Sequence, residues 1–478
     1  MLSMKFYVSD IPNEPIREGS NILFGGSNIE PFASRFIRST ASVSPHRTLV
    51  MVGELGAFDD AGGTPTWRCP FDELDVEAIE ITVSTSCREM SVRRSVRPGT
   101  PIYVSYDREC LVISWRFEEA VANLRNPTPN AEACALYVKH GPTITRDQII
   151  AGVYMLWPGE AVVLAGDRLV FHPIQDDAVV VPAAITNHAR VTDALQEIIG
   201  DAASAVVTAA QAPLLELSGG LDSTCVALAV RSQRKQFASY GLIHHGAVGV
   251  QQRDRRAQIV ELLGLDDHEF APDAPAPIEG LSRAEAHVTP FDDNHRQACA
   301  TAMDALPFST DLVLTGIGGD ELAMTRTFTR QPWEVPGTSC PSALISVAAR
   351  ADMFMRRGIW VSNPLTAPSV VDFCRALPTV LRDGRMFNML LLARAGLSDG
   401  FLFPRHTEGF GHTMQREAAL FDFHGAMSDS IIGDLRLLDY SDLLRSAAQA
   451  SNGGFSYKLI MELYYLMKLE RVLGRYVR

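Results

Sequence analysis

The stretch LELSGGLDST at residues 215–224 constrains the fold of this chain more than any other part of its sequence. It follows an apolar run, so it predicts a buried strand, a glycine turn and a helix that begins at Asp222. Glycine allows positive φ angles and a close approach of the backbone to a ligand. Free N–H groups at a helix start bind anions. The pattern therefore predicts a phosphate-binding loop at the carboxyl edge of a parallel sheet.

Asp222 would place a carboxylate beside the bound phosphates. Mg²⁺ prefers carboxylate oxygens together with phosphate oxygens, so this position suits a magnesium ligand. A bare Ser-Gly-Gly is equally typical of a plain glycine-rich turn. The complete motif from Ser218 to Ser223, directly after an apolar strand, favours the phosphate site.

Length and composition limit the remaining possibilities. The chain has 478 residues, which indicates two domains, and it is 46% hydrophobic and 21% charged, as globular proteins are. A net charge of -13 disfavours a general affinity for nucleic acid. The sequence contains no apolar run long enough for a membrane span and begins without a signal pattern. Its eight cysteines lie far apart and form no CxxC pair, so we expect reduced thiols in a cytoplasmic protein.

The character of the chain changes between residues 173 and 190. Short β-rich runs such as AIEITVS and CLVISW precede this region, and residues 174–188 are interpreted as a linker. Strand and helix patterns then alternate, starting with a helix for which Thr192 is the predicted N-cap, which indicates a parallel sheet with crossover helices. We therefore predict a β-rich α+β domain at 1–175 and an α/β domain at 190–478.

SGGLDS resembles the PP-loop of the ATP pyrophosphatases, and LTGIGGDEL at residues 314–322 resembles a segment of the asparagine synthetase family. The resemblance implies ATP and Mg²⁺ as cofactors and release of AMP and pyrophosphate. It implies metal binding by Asp222 and Asp320, and a catalytic role for these two residues and for Arg405. The implied ATP-binding residues are Leu217, Ser218, Gly219, Gly220, Leu221, Asp222, Ser223, Leu242, Thr315 and Gly316.

The resemblance extends to GIWVSNPLTAPSVVDFCRALP, LWPGEAVVL and LFPRHTEGF. It implies an N-terminal domain related to the Ntn glutaminases, joined to an α/β synthetase domain. Glutamine-using members begin Met-Cys, whereas this sequence begins Met1-Leu2-Ser3. We therefore expect a degenerate glutaminase domain that supplies no ammonia and serves as a scaffold or docking surface.

Two further departures bear on the chemistry. Ile317 stands where asparagine synthetases and β-lactam synthetases have an ionisable residue, which disfavours the β-lactam synthetase reaction. Thr407 stands near the position of a family lysine that stabilises charge in the transition state. Lys458 or Arg416 could replace that lysine, and the sequence does not decide between them.

An N-terminal peptide amine has a pKa of about 8, so roughly a tenth of it is already unprotonated at neutral pH and needs no strong base. This requirement fits the lasso peptide cyclases, which resemble asparagine synthetases without the cysteine nucleophile. The main hypothesis is thus an ATP-dependent macrolactam cyclase of a ribosomal peptide. Its partners would be the precursor peptide, a leader peptidase and a leader-recognition protein. A β-lactam synthetase or another glutamine-independent amide ligase of small molecules is the alternative, and a scaffold protein with a relic loop is a third possibility.

Three other parts of the sequence bear on the fold or on the metal site. Arg253 to Arg256 are interpreted as a solvated helix start, with guidance of pyrophosphate or an acidic peptide as the alternative. The C-terminal residues 457–478 have apolar residues at helical spacing, which predicts a packing helix. Glu321 could either cap a helix or contact the metal.

Overall fold

A computed structural model describes residues 1–11, 13–59, 66–67, 71, 74–173, 188–234, 236–273, 276–282, 287–291, 294–323, 331–335, 341–409, 411–450 and 454–477. The predicted linker at 174–188 lies almost wholly outside the described residues. The boundary between the two predicted domains therefore stays a prediction.

The first part of the chain is built from antiparallel strands. They are β1 (Leu2–Tyr7), β2 (Ile16–Glu18), β3 (Asn21–Phe24), β4 (Ser27–Pro31), β5 (Ile37–Ser44), β6 (Arg47–Glu54), β7 (Phe58–Asp59), β8 (Thr66–Trp67), β9 (Ala78–Ser84), β10 (Glu89–Arg94), β11 (Tyr103–Asp107), β12 (Cys110–Ser114), β13 (Val153–Met155), β14 (Ala161–Ala165) and β15 (Arg168–His172). One sheet has the order β13-β11-β12-β1-β4-β3-β2 and a second has the order β15-β14-β10-β9-β6-β5. Alternating apolar residues of both sheets share one core, which continues into the second part of the chain, so the predicted β-rich character of the first part is confirmed.

The described residues of this first part also form the α-helices α1 (Phe117–Ala122) and α2 (Ala131–His140). The later helices are α3 (His188–Ala209), α4 (Leu221–Arg231), α5 (Gly246–Leu263), α6 (Pro277–Ser282), α7 (Arg296–Ala305), α8 (Gly319–Leu322), α9 (Pro341–Met355), α10 (Pro368–Ala376), α11 (Thr379–Arg382), α12 (Met386–Arg394), α13 (Asp399–Leu402), α14 (Gly411–Ala418), α15 (Phe423–Ala426), α16 (Ile431–Asp434), α17 (Ser441–Ala450) and α18 (Tyr457–Tyr476). Helix α18 confirms the predicted C-terminal packing helix, since one of its faces is buried. None of the described helices is both long and apolar enough to cross a membrane.

The second part of the chain contains the predicted parallel sheet. Its strands are β16 (Pro213–Glu216), β17 (Ala238–Leu242), β18 (Asp266–Phe270), β19 (Leu312–Leu314) and β20 (Trp360–Ser362). The order is β18-β17-β16-β19-β20, and every neighbouring pair is parallel. The chain first adds strands on one side of β16 and then crosses to the other side. The carboxyl ends of β16 and β19 therefore flank a topological switch point, which is where open α/β sheets bind their ligands.

Helix α3 corrects one prediction. It begins at His188, so Thr192 lies inside the helix and does not cap it. The Thr192 hydroxyl instead accepts a hydrogen bond from Nη1 of Arg394 at 2.9 Å. A helix that starts before the expected cap shows that packing of its apolar face outweighed the local signal.

A buried polar cluster joins the antiparallel sheets to the parallel one. Nη1 of Arg97 donates to Oε2 of Glu54 at 3.3 Å, and its Nη2 donates to the hydroxyl of Ser362 at 3.2 Å. Nε1 of Trp360 donates to the other oxygen of Glu54 at 2.7 Å. Because Trp360 and Ser362 belong to β20, these bonds attach the first part of the chain to an edge of the sheet that carries the candidate site.

Candidate active site

The first loop has the predicted strand–turn–helix geometry. Strand β16 ends at Glu216, Gly219 adopts a φ of +87°, and α4 begins at Leu221. A side chain at Gly219 would meet Gln252 O of α5 at 3.3 Å, so the turn also packs closely on its neighbour. No side chain among the described residues caps α4 at Gly220. The N–H groups of its first turn are therefore available to an anion.

The second loop packs directly against the first. A Cβ atom on Gly316 would lie 2.5 Å from the backbone N of Ser223, and one on Gly319 would lie 2.2 Å from Cγ of Asp222. Real Cβ atoms do not approach so closely, so only glycine fits at these two positions. The glycines of this loop thus bring the Asp320 end of β19 onto the start of α4.

The predicted metal ligands Asp222 and Asp320 lie on these two touching loops, and one guanidinium joins them. Nη1 of Arg385 donates to Oδ2 of Asp222 at 3.1 Å, and its Nη2 forms an ion pair with Oδ1 of Asp320. Nδ2 of Asn388 donates to Oδ1 of Asp222 at 2.7 Å. Burial raises the pKa of Asp222, and the attraction of Arg385 and the bond from Asn388 only partly offset this effect.

Two adjoining cavities open above the sheet. The larger, about 420 Å³, lies between the two loops and the start of α9. The smaller, about 200 Å³, lies over the carboxyl ends of β16 and β17 and is lined in part by Leu242. Glu216, Ser218 and Glu408 line both, so the two spaces form one continuous cleft.

Two carboxylates that line both cavities are held by buried arginines. Glu216 receives two bonds from Nη1 of Arg350, at 2.9 and 2.8 Å, and one from the hydroxyl of Tyr240 at 2.7 Å. Oε1 of Glu408 accepts a hydrogen bond from Nη1 of Arg255 at 3.2 Å. Burial raises the pKa of Glu408, although Arg255 opposes the shift. These pairs neutralise carboxylates that would otherwise repel an anionic ligand.

The structure places the other predicted nucleotide-binding residues in different roles. Thr315 is buried, and its hydroxyl donates to Oδ1 of Asn363 at 2.6 Å, which fixes the second loop to the end of β20. Leu217 is buried in the core beneath the loop. Ser218, Gly220, Leu221, Asp222, Ser223, Gly316 and Asp320 line the larger cavity. Ile317 also lines it, so an apolar side chain stands in the cleft as the sequence indicated.

Arg405 lies apart from this set. It is exposed on the segment between α13 and α14, where its backbone N donates to Oε1 of Gln251 of α5 at 2.6 Å. Thr407 of the same segment is exposed as well. Lys458 pairs with Glu462 in α18, and Arg416 is exposed on α14, so neither of the two proposed substitutes for the family lysine lines the cleft.

Glu321 lines the larger cavity and caps a helix through one carboxylate oxygen, whereas its contact with a metal stays a prediction. Oε1 of Glu321 accepts bonds from the backbone N of Ser342, at 2.5 Å, and of Ala343, at 3.2 Å, so this carboxylate caps α9. Its buried Oε2 has no hydrogen-bond partner among the described residues. The interpretation of Arg253 to Arg256 as a solvated helix start is wrong in its position and for two of the four residues, although Arg253 and Asp254 are exposed. These residues lie in the middle of α5, and Arg255 and Arg256 are buried because each meets a carboxylate.

The donor set fits Mg²⁺. Among the described residues, no three His, Cys, Asp or Glu side chains are grouped to enclose a metal ion by themselves. Mg²⁺ does not require such a cage, because it is usually bound by one or two carboxylates together with substrate phosphates and water. Asp222 and Asp320 already share one cationic group, the Arg385 guanidinium, which shows that the pair can hold a positive charge.

Comparison with known proteins supports the resemblance for part of the chain. A protein-family model described as Asparagine synthase matches residues 194–358, a segment that includes both glycine loops. A comparison with curated proteins gave no match. One similar solved structure is the NH3-dependent NAD synthetase from Campylobacter jejuni subsp. jejuni NCTC 11168 in complex with the nitrate ion, at 14% identity over 56% of this chain and 94% of that chain, with a TM-score of 0.27. That likeness is too weak to assign a fold or an activity.

Proposed function

We propose that this chain is an ATP-dependent, AMP-forming amide ligase that closes a macrolactam in a ribosomally made peptide, as lasso peptide cyclases do. The observation that carries the proposal is the convergence of Asp222 and Asp320 from two glycine loops on one cation at the switch point of the sheet. The asparagine synthase match over 194–358 supports ATP-dependent amide formation as the class of reaction.

Different residues of the cleft would bind the phosphates and the nucleoside of ATP. Ser218 and the residues at the start of α4 line the larger cavity, and N–H groups at a helix start suit the phosphates. The smaller cavity, beside Leu242, suits the nucleoside. Mg²⁺ held by Asp222 and Asp320 would neutralise phosphate charge.

The reaction then has two steps. An oxygen of a peptide Asp or Glu side chain attacks the α-phosphorus of ATP, and pyrophosphate leaves with the electrons of the broken P–O bond. The N-terminal amine next attacks the activated carbonyl, AMP leaves, and the amine gives up a proton as the amide forms. An α-amine with a pKa of about 8 is partly unprotonated at neutral pH, so the apolar Ile317 in the cleft is compatible with this nucleophile.

Holding both ends of one peptide is the main source of rate enhancement in this scheme. An oriented intramolecular amine has a high effective concentration. Filling the cleft with peptide would also exclude water, which would otherwise hydrolyse the activated carboxyl.

The test uses a synthetic peptide with a free N-terminal amine and an acidic side chain a few residues along, incubated with the full chain, ATP and Mg²⁺. Mass spectrometry should show the loss of one water and equal formation of AMP and pyrophosphate. Matched control peptides carry an acetylated N-terminus or an amide in place of the acidic side chain, and both should stay linear. Unchanged loss of water from the acetylated peptide would refute the cyclase. AMP formation with a small carboxylic acid instead of the peptide would favour the small-molecule ligase.

A further inference from the structure

Positive charge is scarce among the described residues that line the larger cavity. The charged residues that line the larger cavity, among those the structure describes, are Glu216, Asp222, Asp320, Glu321, Glu408 and Arg385. Glu216 and Glu408 are each paired with an arginine from outside this lining. Among the described residues, Arg385 is therefore the cation that lines the cavity where a polyphosphate would enter, and bound phosphate chains are stabilised by such groups.

The guanidinium of Arg385 contacts both aspartate carboxylates. Its two terminal nitrogens meet Asp222 and Asp320, which come from loops separated by almost a hundred residues. A metal ion bound by the same carboxylate oxygens would compete with the guanidinium for them. A metal-loaded site would therefore release Arg385 from at least part of this contact.

The backbone holds Arg385 at the cleft in an unusual conformation. Gly384 and Arg385 have φ angles of 57° and 61°, so two successive residues are left-handed immediately before α12. For a residue other than glycine this conformation is unfavourable, and it persists where other contacts compensate. The side chain is long and about one third exposed, so it can change partners without movement of the helix.

Asn388, one turn further along α12, provides a separate anchor for Asp222. Its bond goes to Oδ1, whereas Arg385 uses Oδ2. Asp222 would thus keep its orientation after Arg385 has left. Arg385 is therefore the group that can move, and Asn388 is the group that holds the Asp222 carboxylate in place.

We propose that Arg385 binds the β- and γ-phosphates of ATP and the pyrophosphate that leaves, and that in the nucleotide-free protein the same guanidinium fills the carboxylate pair. This assignment rests on the proposed function, because it requires a polyphosphate in the cleft. It makes two predictions of opposite sign for one substitution. Loss of Arg385 weakens polyphosphate binding, yet it strengthens binding of Mg²⁺ alone, since the competing cation is gone.

The experiment is calorimetric titration of the full chain with Mg²⁺ alone, with Mg-pyrophosphate and with Mg-ATP. Arg385→Ala should bind Mg-pyrophosphate about ten- to a hundredfold more weakly, while its affinity for Mg²⁺ alone rises. Arg385→Lys keeps the charge and should restore part of the pyrophosphate affinity. Arg394→Ala, at the other end of α12 and paired with Asp193, removes the same charge away from the cleft and should leave both affinities unchanged.

The possible outcomes separate this assignment from the proposed function. If wild type binds Mg-pyrophosphate and Arg385→Ala binds it equally well, Arg385 does not contact the polyphosphate. If both affinities fall together, the role of Arg385 is structural and the assignment is wrong. If wild type binds neither Mg-ATP nor Mg-pyrophosphate, the ATP-dependent function fails and the assignment fails with it.

Discussion

Asn388 donates a hydrogen bond of 2.7 Å to Oδ1 of Asp222, although the two residues are 166 positions apart. The bond fixes a carboxylate of the first glycine loop from a helix that packs on α3 and α4. The geometry of the candidate metal site therefore depends on a helix outside the segment that matches the asparagine synthase family.

The two aspartates should be essential for ATP cleavage. Asp222→Asn and Asp320→Asn keep the shape of each side chain but remove the negative charge that would hold Mg²⁺. We expect AMP and pyrophosphate formation to fall by about a hundredfold or more, with an unchanged circular dichroism spectrum. Asp304→Asn, whose carboxylate pairs with Arg357 at 2.9 Å outside the cleft, is the matched control. Formation of ADP and phosphate by the wild type would contradict the assigned chemistry.

Alanine should not be tolerated at the contact between the two loops. Gly319→Ala would place Cβ 2.2 Å from Cγ of Asp222, so either the loop or the carboxylate must move. Such overpacking costs about 1–3 kcal/mol of stability, and we expect Mg-ATP affinity to fall as well. Gly474→Ala in α18 has no atom within 4 Å of the new Cβ and should be neutral or stabilising. Denaturant unfolding and calorimetry on both variants test this, and unchanged Mg-ATP binding by Gly319→Ala would count against the loop contact.

On acidification, Mg²⁺ binding should weaken at a higher pH than it would if Asp222 had the ordinary pKa of an aspartate. Burial raises the pKa of Asp222 above 3.8, so protons compete with the metal before that value is reached. As the pH is lowered, the pH at which the Mg²⁺ affinity has fallen by half should therefore lie above 3.8. Calorimetric titrations at successive pH values measure this midpoint, and a midpoint at or below 3.8 would refute the raised pKa of Asp222.

Asp352 should contribute to stability in a pH-dependent way. It is buried, which disfavours its charge, but Arg296 at 2.9 Å and Arg356 at 3.0 Å hold its pKa below 3.8. The carboxylate therefore stabilises the fold above the unfolded pKa, and this contribution is lost as pH falls through the lower, folded pKa. Asp352→Asn should cost about 3–5 kcal/mol near neutral pH, because the largely buried Arg296 and Arg356 lose a charged partner, although Arg356 keeps Glu118.

The control for this prediction is Asp442→Asn, since Asp442 is almost fully exposed beside Arg445. Its substitution should change stability by less than about 1 kcal/mol. Urea unfolding at neutral and acidic pH gives the comparison. The difference in the free energy of unfolding between wild type and Asp352→Asn should narrow only below pH 3.8. A difference that widens on acidification would show that the pKa of Asp352 is not lowered by folding.

Much of the site could be read from the sequence because its signals are local. Strand β16, the turn at Gly219 and helix α4 occupy consecutive residues, and their glycine and apolar patterns reflect backbone geometry that neighbouring residues decide. The same holds for the loop that carries Asp320. A parallel sheet could also be expected, because alternating strands and helices favour one.

Tertiary structure alone decided the charges around those loops. Arg385 and Asn388 reach Asp222 from more than 160 residues away, and Arg350 reaches Glu216 from 134 residues away. No periodic pattern marks such partners, since an arginine that will be buried beside a carboxylate looks in the sequence like one that will be exposed. Arg255 was misread for this reason. The local pattern of the sequence thus determined where the two loops lie. Long-range packing determined which cation lies between them, where α3 begins and which charged side chains are buried.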